Sequence, residues 1–199
     1  EDDLDTVRKV EGVQAVMPAY DTDLVLIAEG ADNTNYTTRM HSLPQDTSPE
    51  AEDYLNQLEL VEGRMPEKAG ECVIVQTKSF DQDTEWIGQT LTQNPELEEV
   101  EGLTEKFTVV GTVTSSLYLS MEQESTTAGS GTLNLIAYTV PESFDMDYYT
   151  TFYLAVEDTV DLDTFSQEYE DKVDQVIQAL EPLGEERSPV SYTHLRAHE

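Results

Sequence analysis

The chain has 199 residues, and its 42 acidic side chains against 10 lysines and arginines give a formal net charge of −32. That charge excludes nucleic acid as a partner, because phosphate backbones are held by clustered lysine and arginine, and it disfavours adsorption onto anionic lipid headgroups. An apolar content of 38% with ten tyrosines nonetheless indicates a folded domain rather than a disordered acidic segment.

The N-terminal third of the chain predicts a helix followed by strands. Residues 2–10 favour a helix, because their apolar side chains fall on one face and acidic residues occupy the first turn. Gly12 is expected to end this helix. Apolar runs at 13–17 and 24–28 predict two strands, and the polar stretch 30–53 predicts a long loop with room for one strand.

The middle of the chain predicts a β-rich lobe over about 60–132. Short segments rich in β-branched residues alternate there with turn residues, which is typical of strands joined by tight turns. The segment 125–131 is rich in Ser, Thr and Gly and predicts a flexible loop. The predicted strands of this region and its border are 72–76, 87–92, 107–113 and 133–140.

The last third predicts a strand at 151–156 and an amphipathic helix from about 163 to 180. Thr164 and Gln167 fit a capping box at the start of this helix, and Pro182 is expected to end it. Apolar residues recur along one face of the helix at spacings of three and four. They are Phe165, Tyr169, Val173, Val176, Ile177 and Leu180.

Together these elements predict an α+β fold with two lobes, forming one domain over residues 1–186. One lobe is split in the sequence, about 1–59 and 133–183, and the β-rich lobe of about 60–132 is inserted between its two segments. Residues 187–199 are expected to form a tail beyond the domain.

The two ends of the chain have unusual sequences. The segment 191–199 holds two of the three histidines and resembles translated sequencing-adaptor DNA, so we expect it to be non-native. The chain begins at Glu1 directly on a helix start, which indicates a fragment of a longer protein. No apolar run approaches the roughly 20 residues that span a bilayer.

Motifs that carry enzyme chemistry are missing from the sequence. It has no P-loop, no dinucleotide-binding glycine fingerprint and no nucleophile elbow. His41 is the single histidine before the tail, so a Ser-His-Asp triad could use no other. Cys72 lies in an apolar run and is expected to be a small buried hydrophobic residue. We therefore predict that the chain is not an enzyme and has no catalytic, cofactor-binding or metal-binding residues.

Acidic and aromatic pairs leave two alternatives open. Asp-x-Asp pairs occur at 21/23, 81/83, 145/147 and 161/163, and none of these continues into an EF-hand loop. Such pairs are expected by chance in so acidic a chain, and a specific calcium site is the alternative. The aromatic residues at 148–149 and 152–153 fit sheet and core packing, or a patch that binds a partner.

Several passages of the sequence follow one another in a recognisable order. A helix leads to Gly12-Val13 and Pro18, and Gly63-Arg64 is followed by an acidic turn at Gly70-Glu71 and a strand. The later passages are 87–91 with 107–113, and the closing strand and helix over 151–180. In this order they resemble the MacB-like periplasmic core domain of FtsX-like ABC-transporter permeases, in a Gram-positive version.

The resemblance implies an extracytoplasmic domain at the cell membrane, placed between two transmembrane helices, with two lobes and no catalytic residues. It implies partnership with an ABC ATPase subunit or domain that hydrolyses ATP in the cytoplasm, and coupling of that hydrolysis to an extracytoplasmic protein or exported substrate. A homodimer or pseudo-dimer is expected in the intact transporter. The alternative is a free-standing secreted acidic binding module, stabilised by calcium.

Overall fold

The computed structural model describes residues 2–29, 34–76, 84–97, 99–118 and 124–187. The segment 191–199, expected to be non-native, lies outside these residues. The predicted α+β class is confirmed by the helices α1 (Asp2–Val7) and α2 (Gln167–Arg187) and nine strands within the described residues. The strands are β1 (Val13–Ala19), β2 (Asp21–Ala28), β3 (Asn35–Ser42), β4 (Glu59–Gly63), β5 (Glu71–Val75), β6 (Thr90–Gln93), β7 (Lys106–Thr114), β8 (Leu135–Thr139) and β9 (Thr151–Val156).

The chain forms two compact units, and one of them is inserted into the other. The split unit contains the described residues up to Met17 and those from Tyr153 onwards, and the barrel unit is Pro18–Phe152. The sequence places the lobe boundaries near residues 60 and 132, whereas the units divide at 17/18 and 152/153. The difference arises because β2, β3 and β8, which lie outside 60–132, share one sheet with the strands inside it.

The split unit consists of α1, the paired strands β1 and β9, and α2. Val176 on α2 is buried, with 3% of its surface exposed. A Cβ atom on Gly12 would lie 2.9 Å from Cγ2 of Val176, and Gly12 has a φ of +90°. Glycine at this position therefore permits both the turn after α1 and the close approach of α2.

Helix α2 differs from its prediction at both ends. Its N-cap is Ser166, whose Oγ accepts from the Tyr169 amide at 3.2 Å, and Thr164 lies before the helix. The backbone stays helical through Pro182 to Arg187, although proline removes one intrahelical donor. Phe165, predicted to lead the apolar face, lies outside the helix with 88% of its surface exposed. The Asp163 carboxylate accepts from the Phe165 amide at 3.0 Å, which holds the chain in a turn there.

The barrel unit is built around a sheet that closes on itself. Its strand order is β4-β7-β5-β8-β3-β2-β6, and β6 also pairs with β7. Strand β7 pairs with β5 along one side, and with β6 and then β4 along the other. Six strands therefore form a closed barrel, and β4 extends it as a seventh. The pairs β3–β8 and β5–β7 are parallel, and the other described pairs of this sheet are antiparallel.

Alternate residues of the six barrel strands point inward and fill the interior. Successive side chains of a strand face opposite sides of the sheet, so residues two apart meet in the same core. A six-stranded barrel is narrow enough for side chains to occupy its centre. The strand residues of this core are Leu24, Leu26, Ala28, Met40, Cys72, Ile74, Leu91, Phe107, Val109, Leu135 and Ala137.

Two glycines face each other where β4 joins β7. Gly63 pairs with Gly111 in the strand register. A Cβ atom on Gly63 would lie 2.3 Å from the Val110 carbonyl oxygen, and one on Gly111 would lie 2.5 Å from the Arg64 carbonyl oxygen. The absence of side chains at both positions therefore lets the two backbones come close.

We predict that Gly63→Ala destabilises the barrel unit more than Gly88→Ala does. Both glycines have left-handed backbones, with φ of +78° and +89°, but an added Cβ meets nothing within 4 Å at Gly88. Gly88→Ala should cost about 1–2 kcal/mol from the backbone alone. Gly63→Ala should cost about 1–3 kcal/mol more from the steric overlap. Equal losses in urea unfolding would contradict the close approach of β4 and β7.

Candidate functional site

A cluster of polar side chains lies on the outer face of the barrel, across β2, β3 and β8. In the strand register Asp21 pairs with His41 and Asp23 with Arg39, while His41 in turn pairs with Tyr138. Since the strands alternate in and out, these side chains share the face opposite the barrel interior. The polar cluster comprises Asp21, Asp23, Arg39, His41, Tyr118, Glu124 and Tyr138.

His41 is the buried centre of the polar cluster, with 2% of its surface exposed. Its Nδ1 lies 2.7 Å from a carboxylate oxygen of Asp21, and its Nε2 lies 2.5 Å from the Tyr118 hydroxyl. Because a carboxylate only accepts, Nδ1–H donates to Asp21, while Nε2 shares a hydrogen bond with the Tyr118 hydroxyl. The ring also stacks on Tyr138, with centroids 4.7 Å apart. His41 therefore links three separate segments of the barrel unit.

The arrangement around His41 places a phenol where a catalytic triad would place a nucleophilic serine. Burial raises the pKa of the Tyr118 hydroxyl far above its usual value of 10.0. A phenol held neutral in this way is a weak nucleophile, and its hydroxyl is hydrogen-bonded to His41. The geometry is that of a hydrogen-bonded chain from Asp21 through His41 to Tyr118, which orders the short 3-10 turn Ser116–Tyr118 on the barrel.

Arg39, also in the polar cluster, contacts two carboxylates. Its Nε and Nη2 donate to the two oxygens of Asp23 at 2.8 Å and 2.9 Å, and its Nη1 donates to Glu124. The bidentate hydrogen bond to Asp23 raises the pKa of the Arg39 guanidinium, so this side chain stays charged. Arg39 therefore ties the segment at Glu124 to β2 and β3.

Asp21 and Asp23, one of the Asp-x-Asp pairs of the sequence, both contact side chains of β3. Asp21 and Asp23 face the same side of β2, and each meets a nitrogen-bearing side chain of β3. Among the residues that the structure describes, no three His, Cys, Asp or Glu side chains are grouped so that they could hold a metal ion. The pairs at 145/147 and 161/163 are exposed, and 81/83 lies outside the described residues.

The Gly-Arg passage of the sequence forms a second charged contact. Arg64 donates from Nη1 and Nη2 to the two oxygens of Glu71 at 2.7 Å and 2.6 Å, and the Glu67 amide donates to the same carboxylate at 3.1 Å. These bonds, with that from Arg64 the strongest, lower the pKa of Glu71 to about 2. The acidic turn and the arginine therefore hold the entry of β5 against the end of β4.

Other residues singled out by the sequence take structural positions. Cys72 is fully buried in the barrel core, and burial raises the pKa of its thiol. The segment predicted to be a flexible loop packs against β3, where the Ser130 hydroxyl lies 3.1 Å from that of Thr37. Tyr149 contacts Tyr20, with centroids 5.0 Å apart, whereas Tyr148 has 74% of its surface exposed. Tyr148 remains available to a partner, as one of the two sequence interpretations expects.

The sequence missed how these polar residues come together. Tyr118, Glu124 and Tyr138 carry no motif and lie more than 70 residues along the chain from the cluster members on β2 and β3. One signal was present in the sequence. Two acidic residues, Asp21 and Asp23, occupy alternate positions of one strand, and two nitrogen-bearing residues, Arg39 and His41, occupy alternate positions of another. Pairing the two segments in antiparallel register brings each carboxylate opposite its partner.

Three solved structures are similar to the chain. The extracellular domain of the noncanonic ABC-type transporter YknZ from Gram-positive bacteria shares 14% identity and a TM-score of 0.49, with 94% of this chain and 82% of that chain covered. The periplasmic region of MacB from Actinobacillus actinomycetemcomitans shares 15% identity and a TM-score of 0.47, with 92% and 72% covered. A domain of a protein described as a permease, from Porphyromonas gingivalis, shares 13% identity and a TM-score of 0.42, with 91% and 73% covered.

No family model and no curated protein matches the chain. Among the described residues, no helix has the length and apolar character needed to cross a membrane.

We predict that Arg39→Met lowers the free energy of unfolding by about 1.5–3 kcal/mol, because it removes charged hydrogen bonds and leaves Asp23 and Glu124 without their donor. Lys106→Met is the matched control, since it makes the same charge change at an exposed pair whose Nζ lies 3.0 Å from Glu29. Exposed pairs contribute little, so this control should change stability less. Urea unfolding that ranks the control as the more damaging variant would contradict the role of Arg39.

We predict that Glu71→Gln removes a pH-dependent contribution to the stability. The Glu71 pKa is about 2 in the folded chain against an ordinary 4.5, so folding favours the carboxylate form. Its stabilisation is complete above about pH 4.5 and is lost as the pH falls towards about 2. The difference in unfolding free energy between wild type and variant should therefore be largest near pH 7 and shrink in acid.

Glu96→Gln serves as the control for the Glu71 titration, because it removes the same charge from an exposed position. Urea unfolding at several pH values measures both variants. A gap for Glu71→Gln that is constant from pH 7 to about pH 2, or matched by the control, would show that the Arg64 pair does not stabilise the fold.

Proposed function

We propose that the chain is the extracytoplasmic domain of an FtsX/MacB-type ABC-transporter permease. In this proposal it couples ATP hydrolysis by a cytoplasmic ATPase to an extracytoplasmic protein or an exported substrate. The support from the sequence is the order of its passages, in particular the helix leading to Gly12-Val13 and the Gly63-Arg64 passage with its acidic turn.

The observation that carries the proposal is the split unit, which is assembled from the described residues at both ends of the chain. In a domain placed between two transmembrane helices, both ends of the chain must lead to the same membrane surface. The passages into and out of the barrel unit fall within β1 and β9, and these two strands pair with each other. A movement of the split unit would therefore reach the barrel unit through two paired strands, as a hinge-type transition requires.

The surface charge fits this proposal and limits the partners. At a formal charge of −32, the domain would stay away from anionic headgroups while its neighbouring helices anchored it. The Arg64–Glu71 contact gives the Gly-Arg passage a structural role at the start of β5.

The proposal predicts that the domain faces the outside of the cell in the full-length native protein. Cys72 is the single cysteine of the chain and is fully buried, so this domain contributes no reactive thiol, and any cysteines elsewhere in the full-length protein are replaced by serine. In this background Glu96→Cys in the barrel unit and Asp174→Cys in the split unit place thiols at exposed positions. Both should react with a membrane-impermeant maleimide on intact cells, while the protein without them should not.

Two results would count against the proposal. Labelling only after the cells are broken would place the domain in the cytoplasm, and release of labelled protein into the medium would favour the secreted module. If labelling succeeds, a disulfide between one cysteine in each unit should stop ATP-driven work by the intact transporter, and a reductant should restore it. Unimpaired work with the disulfide formed would remove the coupling role.

A further inference from the structure

The two most exposed large apolar side chains of the described residues lie in one short segment. Phe165 and Val160 have 88% and 85% of their surfaces exposed, and the next such side chain, Tyr148, has 74%. Both belong to the segment 157–166 between β9 and α2, named here the β9–α2 loop. Aromatic residues are enriched at protein–protein interfaces, so a ring exposed to this extent is a candidate contact residue.

The fold itself gives Phe165 no apolar partner at the start of α2. Ser166 is the N-cap, so Phe165 occupies the position before it, from which an apolar residue ordinarily packs on the fourth helical residue. That fourth residue is Glu170, which is exposed and charged. The usual hydrophobic contact across a helix start is therefore replaced by a carboxylate, and the ring points into solvent.

The β9–α2 loop is nevertheless held in a defined shape by its own hydrogen bonds. The Asp163 carboxylate accepts from the Phe165 amide at 3.0 Å, and the Asp163 carbonyl accepts from the Ser166 amide at 2.9 Å. Nearer β9, the Thr159 hydroxyl donates to the Val156 carbonyl at 2.8 Å, and the Leu162 amide donates to the Thr159 carbonyl at 3.0 Å. A loop fixed in this way loses little conformational entropy when it binds.

Carboxylates surround the exposed apolar pair along the chain. Asp158 has 88% of its side chain exposed, and Asp161 and Asp163 are also exposed. Lys172 on α2 brings one positive charge to this region, with its Nζ 3.8 Å from the Asp158 carboxylate. A partner that buries Phe165 must bring further positive charge to its rim, since unpaired carboxylates at an interface oppose binding.

The same charges argue against two other occupants. A second copy meeting this loop through a two-fold axis would place the same carboxylates against each other, and each copy carries a formal charge of −32. An anionic membrane surface would be repelled in the same way. A protein with basic residues is the occupant that complements both features of the loop.

We propose that the β9–α2 loop docks an extracytoplasmic protein by inserting Phe165 into an apolar pocket whose rim carries lysine or arginine. Val160 adds apolar contact from the same loop, and Asp161 and Asp163 face the basic rim. This inference rests on the proposed function for the compartment in which the partner is found, and it adds the contact residue and the chemistry of that partner.

The test uses the full-length native protein in cells, with the photoreactive residue p-benzoylphenylalanine at position 165, at 160 or, as a control, at 97. Leu97 is an exposed apolar residue of the barrel unit, with 47% of its surface exposed. Irradiation should join one extracytoplasmic protein to positions 165 and 160 and not to position 97. Mass spectrometry identifies that protein, which is then purified for binding measurements.

Binding of the purified partner should be at least about tenfold weaker for Phe165→Ser, as expected for an aromatic anchor, and unchanged for Leu97→Ser. Because Phe165 is exposed, the variant should keep the Tm of the wild type. The double change Asp161→Asn with Asp163→Asn should slow association and flatten its salt dependence. Asparagine at 163 can still accept from the Phe165 amide, so the turn is retained.

Crosslinks from position 165 to a second copy, to lipid or to nothing would overturn the inference, as would unchanged binding by Phe165→Ser. The intact-cell cysteine labelling is independent of this loop. If that labelling succeeds while the crosslinking fails, the docking loop is wrong and the proposed function stands. Labelling that reports a cytoplasmic domain would instead remove the proposed function.

Discussion

The barrel unit depends on the pairing of β7 along both of its sides. One side is taken by β5, and the other is shared end to end by β6 and β4. Because β6 also pairs with β2, this arrangement closes the sheet and removes the open edges that a flat sheet would present. The apolar residues of six strands can then pack in one interior. The outer face acquires its order from the same closure, since β2, β3 and β8 become neighbours there.

Positive charge is scarce in this chain, and Arg39 and Arg64 each use it to join separate segments of backbone. Arg39 holds Glu124 to β2 and β3, and Arg64 holds the acidic turn to the start of β5. Both use the planar guanidinium to donate two bonds to one carboxylate, which is the geometry in which an arginine pair contributes most. With 42 acidic residues against 10 lysines and arginines, most carboxylates cannot have such a counterpart, so the molecule presents a strongly negative exterior.

The polar cluster buries a polar side chain, whereas the β9–α2 loop exposes an apolar one. His41 is buried and satisfied at both ring nitrogens, so it orders a turn on the barrel and is withdrawn from solvent. Phe165 is apolar and exposed on a loop fixed by hydrogen bonds, and the docking role proposed above would supply its contacts. In the proposed function, the rigid internal contacts would keep the domain intact and the exposed loop would engage the partner.

The sequence by itself determined the α+β class, most strand positions and the amphipathic helix, because periods of two and of three to four residues follow from local backbone geometry. It also indicated that Cys72 would be buried, since an apolar strand surrounds it. Only the tertiary structure decided the unit boundaries at 17/18 and 152/153, the closure through β7, and the meeting of Tyr118, His41 and Asp21. Those features join residues distant in sequence, and pairing partners over such distances leave no local periodic signal. Phe165 shows the same limit on a smaller scale. Its spacing fits the apolar face of α2, but its amide donates to the Asp163 carboxylate in a turn, and α2 begins only at Gln167.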